Sequence, residues 1–275
     1  MHTIELAENT TNQLLDALPV AARDEWFASL TPSFLEIKTV LFEPGQIIEH
    51  VYFPLNGVIS LVTPLEDGAI VEVATVGNEG IVGVPLVVGG SLAVRAISQV
   101  PGWVLRMEAT AFDEAIQAEP AVRRILSDYL QALFGQVAQA AACNRLHSNE
   151  ERLSRWLLMT RDRVGVDEFT ITHEFLGQML GSRRATVTLS AGILQAAGLI
   201  KYRRGVITIV DRPGLESVSC ECYGVIKSEL DSVIDKAERR GRLPAHPRTQ
   251  SRATPARKGR RQPAAPPPTR ASARD

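Results

Sequence analysis

The sequence has few cysteines, no long apolar run and no recognisable catalytic motif, and each shortage removes a class of protein. Cys143, Cys220 and Cys222 are too few and too unevenly placed for a disulfide framework, and they fit a reducing, cytoplasmic setting. No apolar run approaches the roughly 18 residues a membrane span needs, so no transmembrane helix and no membrane partner are expected. The opening MHTIELAENT has no basic stretch leading into an apolar segment and does not read as a signal peptide. There is no phosphate-binding Gly-Lys loop, no nucleophile elbow and no His-Glu-x-x-His motif, and His50, beside Glu49, has no nucleophile to serve. An enzyme is not expected. No internal repeat is visible.

Net charge is nearly absent as well, at −1 over 275 residues, but this is a cancellation. Residues 1–145 carry seven basic and 17 acidic side chains, a net of −10. Residues 146–238 carry 12 and 13, and residues 239–275 carry 11 and one, a net of +10. That asymmetry points to an acidic body and a basic end that is disordered or meets nucleic acid. The length and a hydrophobic share of 45% suit two folded domains and exclude disorder for the bulk of the chain.

What is present falls into three textures. Residues 10–30 read as short helices interrupted at Pro19. From Phe34 to Met107, β-branched stretches (34–42, 47–53, 58–62, 70–75, 93–100 and 104–107) alternate with Gly-containing turns such as Asn56-Gly57 and Asp67-Gly68. This is the pattern of a small antiparallel barrel or sandwich. Helical texture then returns over 109–118 and again from Pro120. In the second helix Leu126, Leu130, Leu133, Val137, Ala140, Asn144 and His147 step by alternating fours and threes. That spacing writes a parallel dimer seam, or else an amphipathic helix lying on its own barrel.

Residues 149–163 suit a helix with Leu153, Trp156 and Leu157 inward. A strand-like Phe169–Ile171 follows. Thr172 then caps a helix to Leu180, Gly181-Ser182 turns, and Ser182 is expected to cap a second helix ending at Gly198. A hairpin around Arg203-Arg204-Gly205 completes a winged helix-turn-helix. Residues 182–204 hold five basic and no acidic side chains. Ser182, Arg183, Arg184, Thr186, Thr188, Arg203 and Arg204 are therefore the candidate DNA contacts, with arginine suited to guanine acceptors and hydroxyls to phosphates or thymine methyls.

The proline-rich stretch 239–275 reads as a disordered tail that either adds unspecific phosphate attraction or serves as a linker. The one-residue gap of Cys220-Glu-Cys222 is unlike the usual two-residue spacing of zinc and iron–sulfur sites, and no second pair or nearby histidine completes a set. No metal is expected and no cofactor is identified. Cys143 reads as a small buried hydrophobe or a redox sensor, and His147 as a polar residue at a helix crossing or a haem ligand.

Barrel, long dimer helix and winged helix, in this order over roughly residues 10–225, resemble the Crp/Fnr family of bacterial transcription regulators. The motifs are Phe42-Glu-Pro-Gly45-Gln with Val51-Tyr52-Phe53-Pro54 and Asn56-Gly57, then Phe175 to Val187 and Ala197-Gly-Leu-Ile200. The resemblance implies an α+β chain. A cyclic-nucleotide-binding-like jelly-roll barrel (1–119) would precede a dimerisation helix (120–147) and a winged helix (148–225). It also implies a homodimer on a double-stranded operator, with RNA polymerase a further candidate partner and a small-molecule effector.

Cyclic-nucleotide members place a glutamate and an Arg-Ser pair around the ligand. Here Gly80-Ile81-Val82-Gly83 puts Ile81 at the glutamate position and Gly90-Ser91 at the Arg-Ser position, with Glu79 and Arg95 displaced. Gly80, Ile81, Gly83, Ser91 and Arg95 remain the candidate effector pocket, for an effector other than cAMP. The N-terminal cysteine cluster of oxygen-sensing members is absent. On the recognition helix Arg184 matches the family's first reading residue, whereas Ala185 and Leu189 replace the others, so a different operator is expected. The rival reading is a ligand-binding signalling module that acts through protein contacts.

Overall fold

A computed structural model describes residues 11–83, 85–90 and 92–241. The expected tail beyond Gly241 and the effector candidate Ser91 lie outside the described residues. Asn12 caps α1 (Gln13–Asp16) by accepting from the Leu15 amide, and α2 (Val20–Ser29) begins after Pro19. Seven strands follow: β1 (Thr31–Leu35), β2 (Val40–Phe42), β3 (His50–Pro54), β4 (Val58–Pro64), β5 (Ile70–Val76), β6 (Arg95–Val100) and β7 (Gly102–Glu108). The short α3 (Pro85–Val88) sits between β5 and β6. The single strand expected over 34–42 is two strands. Lys38 adopts φ 66° and turns the chain, and the Thr39 amide donates to the Glu36 carbonyl at 3.1 Å.

All pairing is antiparallel, in a β1-β7-β3 sheet and a β2-β6-β4-β5 sheet. The expected barrel is therefore not closed. Its edge strand β2 has three residues and a register shift, which leaves too short a ladder to pair onward. Between the sheets and helices Trp26 is fully buried, its ring edge-on to Phe53 at 6.0 Å and Phe112 at 5.5 Å.

Helix α4 (Ala109–Ala118) leads into α5 (Pro120–Leu146), where Pro120 takes the first turn, a place with no amide partner to lose. Of the expected seam, Leu126, Leu133 and Ala140 are buried against their own chain, Leu130 and Val137 are half-buried, and Asn144 is exposed. Ser148 and Glu151 form a reciprocal capping box that starts α6 (Asn149–Val164) after only His147 and Ser148. Then come β8 (Glu168–Thr170), α7 (His173–Met179), α8 (Arg184–Ala196), β9 (Ile200–Arg203), β10 (Val206–Ile209), α9 (Arg212–Val218) and α10 (Cys222–Gly241). The three strands pair antiparallel in the order β8-β10-β9.

Helix α10 corrects the expected boundaries, since Arg239–Gly241 end a helix rather than begin a tail. Its buried residues Ile226, Leu230, Val233 and Ala237 recur at helical spacing, and the helix runs back along α5, with Cys222 beside Gln139 and Val233 near Ala132. Among the described residues no helix is long and apolar enough to cross a membrane.

Candidate DNA interface and its links to the sensor

The turn between α7 and α8 is held from below. Thr172 accepts from the Phe175 amide at 3.2 Å, as its cap position requires, and Phe175, Leu176, Met179 and Leu180 are buried with Val187, Ala191 and Leu194. Ser182 does not cap α8. Arg183 takes the extended cap conformation and offers no side-chain cap, so the serine stands one residue too early. Its hydroxyl instead donates to Asn149 Oδ1 at 2.6 Å, which ties the turn to α6. The first amides of α8 are thus left without a side-chain cap, in the arrangement that favours a phosphate.

Arg183 at the cap and Arg184, Ala185, Leu189 and Ile193 on α8 are exposed, Leu189 at 66%. Thr186 is half-buried. Thr188 is exposed but already engaged, donating to the Arg184 carbonyl at 2.9 Å and lying 2.9 Å from His173 Nδ1. His173 stacks on Tyr202 of the wing with ring centroids 4.0 Å apart, and burial followed by the Arg184 charge lowers its pKa. The wing turns through Arg204 (φ 51°) and Gly205 (φ 82°), the pair of positive values that a two-residue type I′ turn demands. Arg203, Arg204 and Lys201 are exposed there. Among the described residues, none of Arg183, Arg184, Lys201, Arg203 and Arg204 makes an ion pair. Lys201 and Leu189 complete this face. Both were visible in the sequence, one as charge and one as an apolar residue off the buried stripe.

The effector candidates have other partners. Ile81 is fully buried, and its carbonyl accepts from Tyr129 Oη of α5 at 3.4 Å. A Cβ on Gly80 would strike the Tyr129 ring and hydroxyl, so glycine is what lets α5 approach. Gly83 packs against Val51. Arg95 is bound to Glu43 at 2.8 Å on the surface. Glu79, which lies near the family's glutamate position, instead holds Arg163 of α6 at 2.8 Å, and both side chains are at most 10% exposed. Arg163 also donates to Thr75 Oγ1 at 2.5 Å and its carbonyl at 3.1 Å, and Gln136 of α5 donates to that carbonyl at 3.0 Å. A second polar link joins Glu72 to Ser60 at 2.7 Å and to Trp156 Nε1 at 3.1 Å. Burial raises the Glu72 pKa to about 7, against the lowering effects of Ser60, Arg155, Arg163 and Trp156. These contacts fasten the sensor sheet to the first helix of the winged domain.

No second pair or nearby histidine was expected to complete a set with Cys220 and Cys222. Instead Cys143, at the end of α5, lies 3.5 Å from Cys220, and Cys222 lies 3.5 Å from His147 Nδ1. All three thiols are buried and free. The sequence hid this because 77 residues separate Cys143 from Cys220 and nothing local marks their meeting.

Comparison with known proteins agrees with this architecture. A cyclic nucleotide-binding domain model matches residues 33–119, and a Crp-like helix-turn-helix domain model matches residues 151–218. The Global nitrogen regulator of Synechocystis sp. is 25% identical over 198 residues, covering 67% of this chain and 86% of that protein. The protein of the same name from Nostoc sp. is 26% identical over 196 residues, covering 66% and 86%. The structure of FixK2 from Bradyrhizobium japonicum superposes with a TM-score of 0.61 at 17% identity, covering 70% of this chain and 98% of that one. A putative transcriptional regulator of the Crp/Fnr family from Eubacterium rectale gives 0.57 at 18%, covering 74% and 96%. The two domain models, which between them span more than half of the chain, and the two nitrogen regulators show that it belongs to the Crp/Fnr family, as a DNA-binding transcription regulator, and the solved structures share its fold.

Proposed function

We propose that the protein acts as a homodimer whose two winged helices read half-sites of one operator, and that an effector other than a cyclic nucleotide sets their geometry. The observation that carries the reading is the group of exposed, unpaired basic side chains at the start of α8 and on the wing. Arg184 has the position to read a base edge, and Arg183, Lys201, Arg203 and Arg204 serve the phosphate backbone. Leu189 is placed to meet a thymine methyl. Against a cyclic nucleotide stand the burial of Ile81 and the commitment of Arg95 to Glu43, which leave no free arginine for a cyclic phosphate at the expected place.

The dimer face we favour is shifted by one residue from the stripe first read in the sequence. Ser127, Gln131, Phe134, Ala138, Ala141 and Arg145 are exposed at heptad spacing on α5, with Phe134 at 74%. The effector signal would pass through the α5–α6 joint around Leu146–Glu150 as a shift between populated geometries.

A binding titration on selected operator DNA tests the reading. Arg184→Ala should cost roughly 1–3 kcal/mol at the specific site and relax the preference at one base pair. Equally weak binding of both proteins to any DNA would sink it. For the dimer, Phe134→Glu should give a monomer by light scattering, and an unchanged dimer would move the interface elsewhere.

A further inference from the structure

Four potential metal ligands meet where α5 ends and α10 begins. Cys143 and His147 are one helical turn apart at the end of α5, and Cys220 and Cys222 flank Glu221 just before and at the start of α10. The four ligand atoms all lie within 4.8 Å of one another. A tetrahedral zinc with bonds of about 2.3 Å to sulfur and 2.0–2.1 Å to nitrogen spaces its ligand atoms about 3.6–3.8 Å apart. The observed 3.5 Å separations, Cys143 to Cys220 and Cys222 to His147 Nδ1, are close to that spacing.

The surroundings suit a bound cation too. His147 turns Nδ1 toward the thiols while Nε2 lies 3.2 Å from the Glu221 carboxylate, the outer contact that fixes the ring of a metal-bound histidine. Gln139 Nε2 donates to Cys222 Sγ at 3.0 Å, a further polar contact on the ligand sulfur. The three cysteines also form a buried cluster of their own, apart from the main core. Three small side chains add little apolar burial, so packing alone is a weak reason for their meeting.

We infer that Cys143, His147, Cys220 and Cys222 form a four-ligand zinc site that pins the start of α10 to the end of α5. The set is three sulfurs and one imidazole nitrogen, a combination typical of structural zinc. The ligand atoms enclose the volume of one ion, whereas a cluster of several irons needs its thiolates further apart. Binding releases the remaining thiol protons to solvent and involves no redox step. The site lies beside His147-Ser148, the joint between α5 and α6, so the ion would also stiffen that joint.

The test uses the full-length protein, purified under reductant and stripped with a chelator. Zinc is then titrated in competition with a chromophoric chelator, and cobalt is added in a parallel sample. The expected result is about one zinc per chain and a cobalt spectrum with thiolate charge-transfer and tetrahedral bands. Glu221→Gln should weaken zinc binding about 10- to 100-fold, and Cys222→Ser by more. No uptake by the unaltered protein, or uptake unchanged in Cys222→Ser, overturns the inference. So does a cobalt spectrum without thiolate bands, a readout that does not depend on whether a variant folds. A Cys143–Cys220 disulfide persisting under reductant, with no metal taken up, also overturns it.

Discussion

The arginines of the winged helix and those of the sensor are in opposite circumstances. Arg183, Arg184, Arg203 and Arg204 stand exposed with no carboxylate partner among the described residues, while Arg95 is paired with Glu43. Arg163, which reaches the sensor from α6, is buried on Glu79, Thr75 and Gln136. The difference teaches where each charge is meant to find its counterion. On the proposed reading face the counterion would come from outside, as a phosphate, and would displace salt. At the sensor contact it is built in, and the pair has no charge to offer a ligand.

The largest effect should come from opening the built-in pair. Arg163→Met leaves the Glu79 carboxylate buried without its partner and should lower unfolding stability by roughly 3–5 kcal/mol, read from urea denaturation. Adding Glu79→Gln should recover much of that loss. If the single variant costs less than about 1 kcal/mol, the pair is no more protected than a surface ion pair and the contrast fails.

A smaller effect should follow pH. The Glu72 pKa is raised from 4.5 to about 7 by burial, so the folded state holds a proton there that the unfolded state releases earlier. The stability this protonated form provides is full below pH 4.5 and is lost as pH climbs through about 7. Denaturation at pH 5 and pH 8 should therefore show a decline that is reduced in Glu72→Gln. Equal pH slopes in the two proteins would remove Glu72 as its source.

The smallest effect belongs to the wing tip. Arg204→Gly removes one cation but relaxes a positive φ, so the Tm should not fall while the salt dependence of DNA binding drops by about one unit. A salt slope left unchanged would show that the wing does not touch the backbone.

The winged helix was legible because its signals are local. Thr172, Gly198 and Arg204-Gly205 mark a helix start, a helix end and a hairpin by their own backbone chemistry. Ser182 misled because Ser-Arg-Arg offers two cap positions, and only the pull of Asn149 on the hydroxyl decides between them. The strands were legible as alternation, but the break at Lys38 was not, since lysine carries no preference for positive φ. Least legible were the contacts between distant segments. Glu79 meets Arg163 across 84 residues and Cys143 meets Cys220 across 77, and no periodicity encodes such a meeting. The stripe proposed for the dimer lies between these cases. The heptad spacing was readable, but which of two neighbouring stripes faces outward depends on where α10 and the sensor sheet lie against α5.

The short joint after α5 has a mechanical consequence. A helix of 27 residues is about 40 Å long, and only His147 and Ser148 separate its end from the next capped helix. There is almost no slack to absorb a tilt. Tyr129 lies 17 residues, about 25 Å, from Leu146, so a swing of about 5° about Tyr129 would carry that end through some 2 Å by the geometry of a rigid rod. In a dimer of the proposed kind, both copies moving would add such displacements, so a small rearrangement beneath Gly80 would reach the recognition helices as a change in their separation.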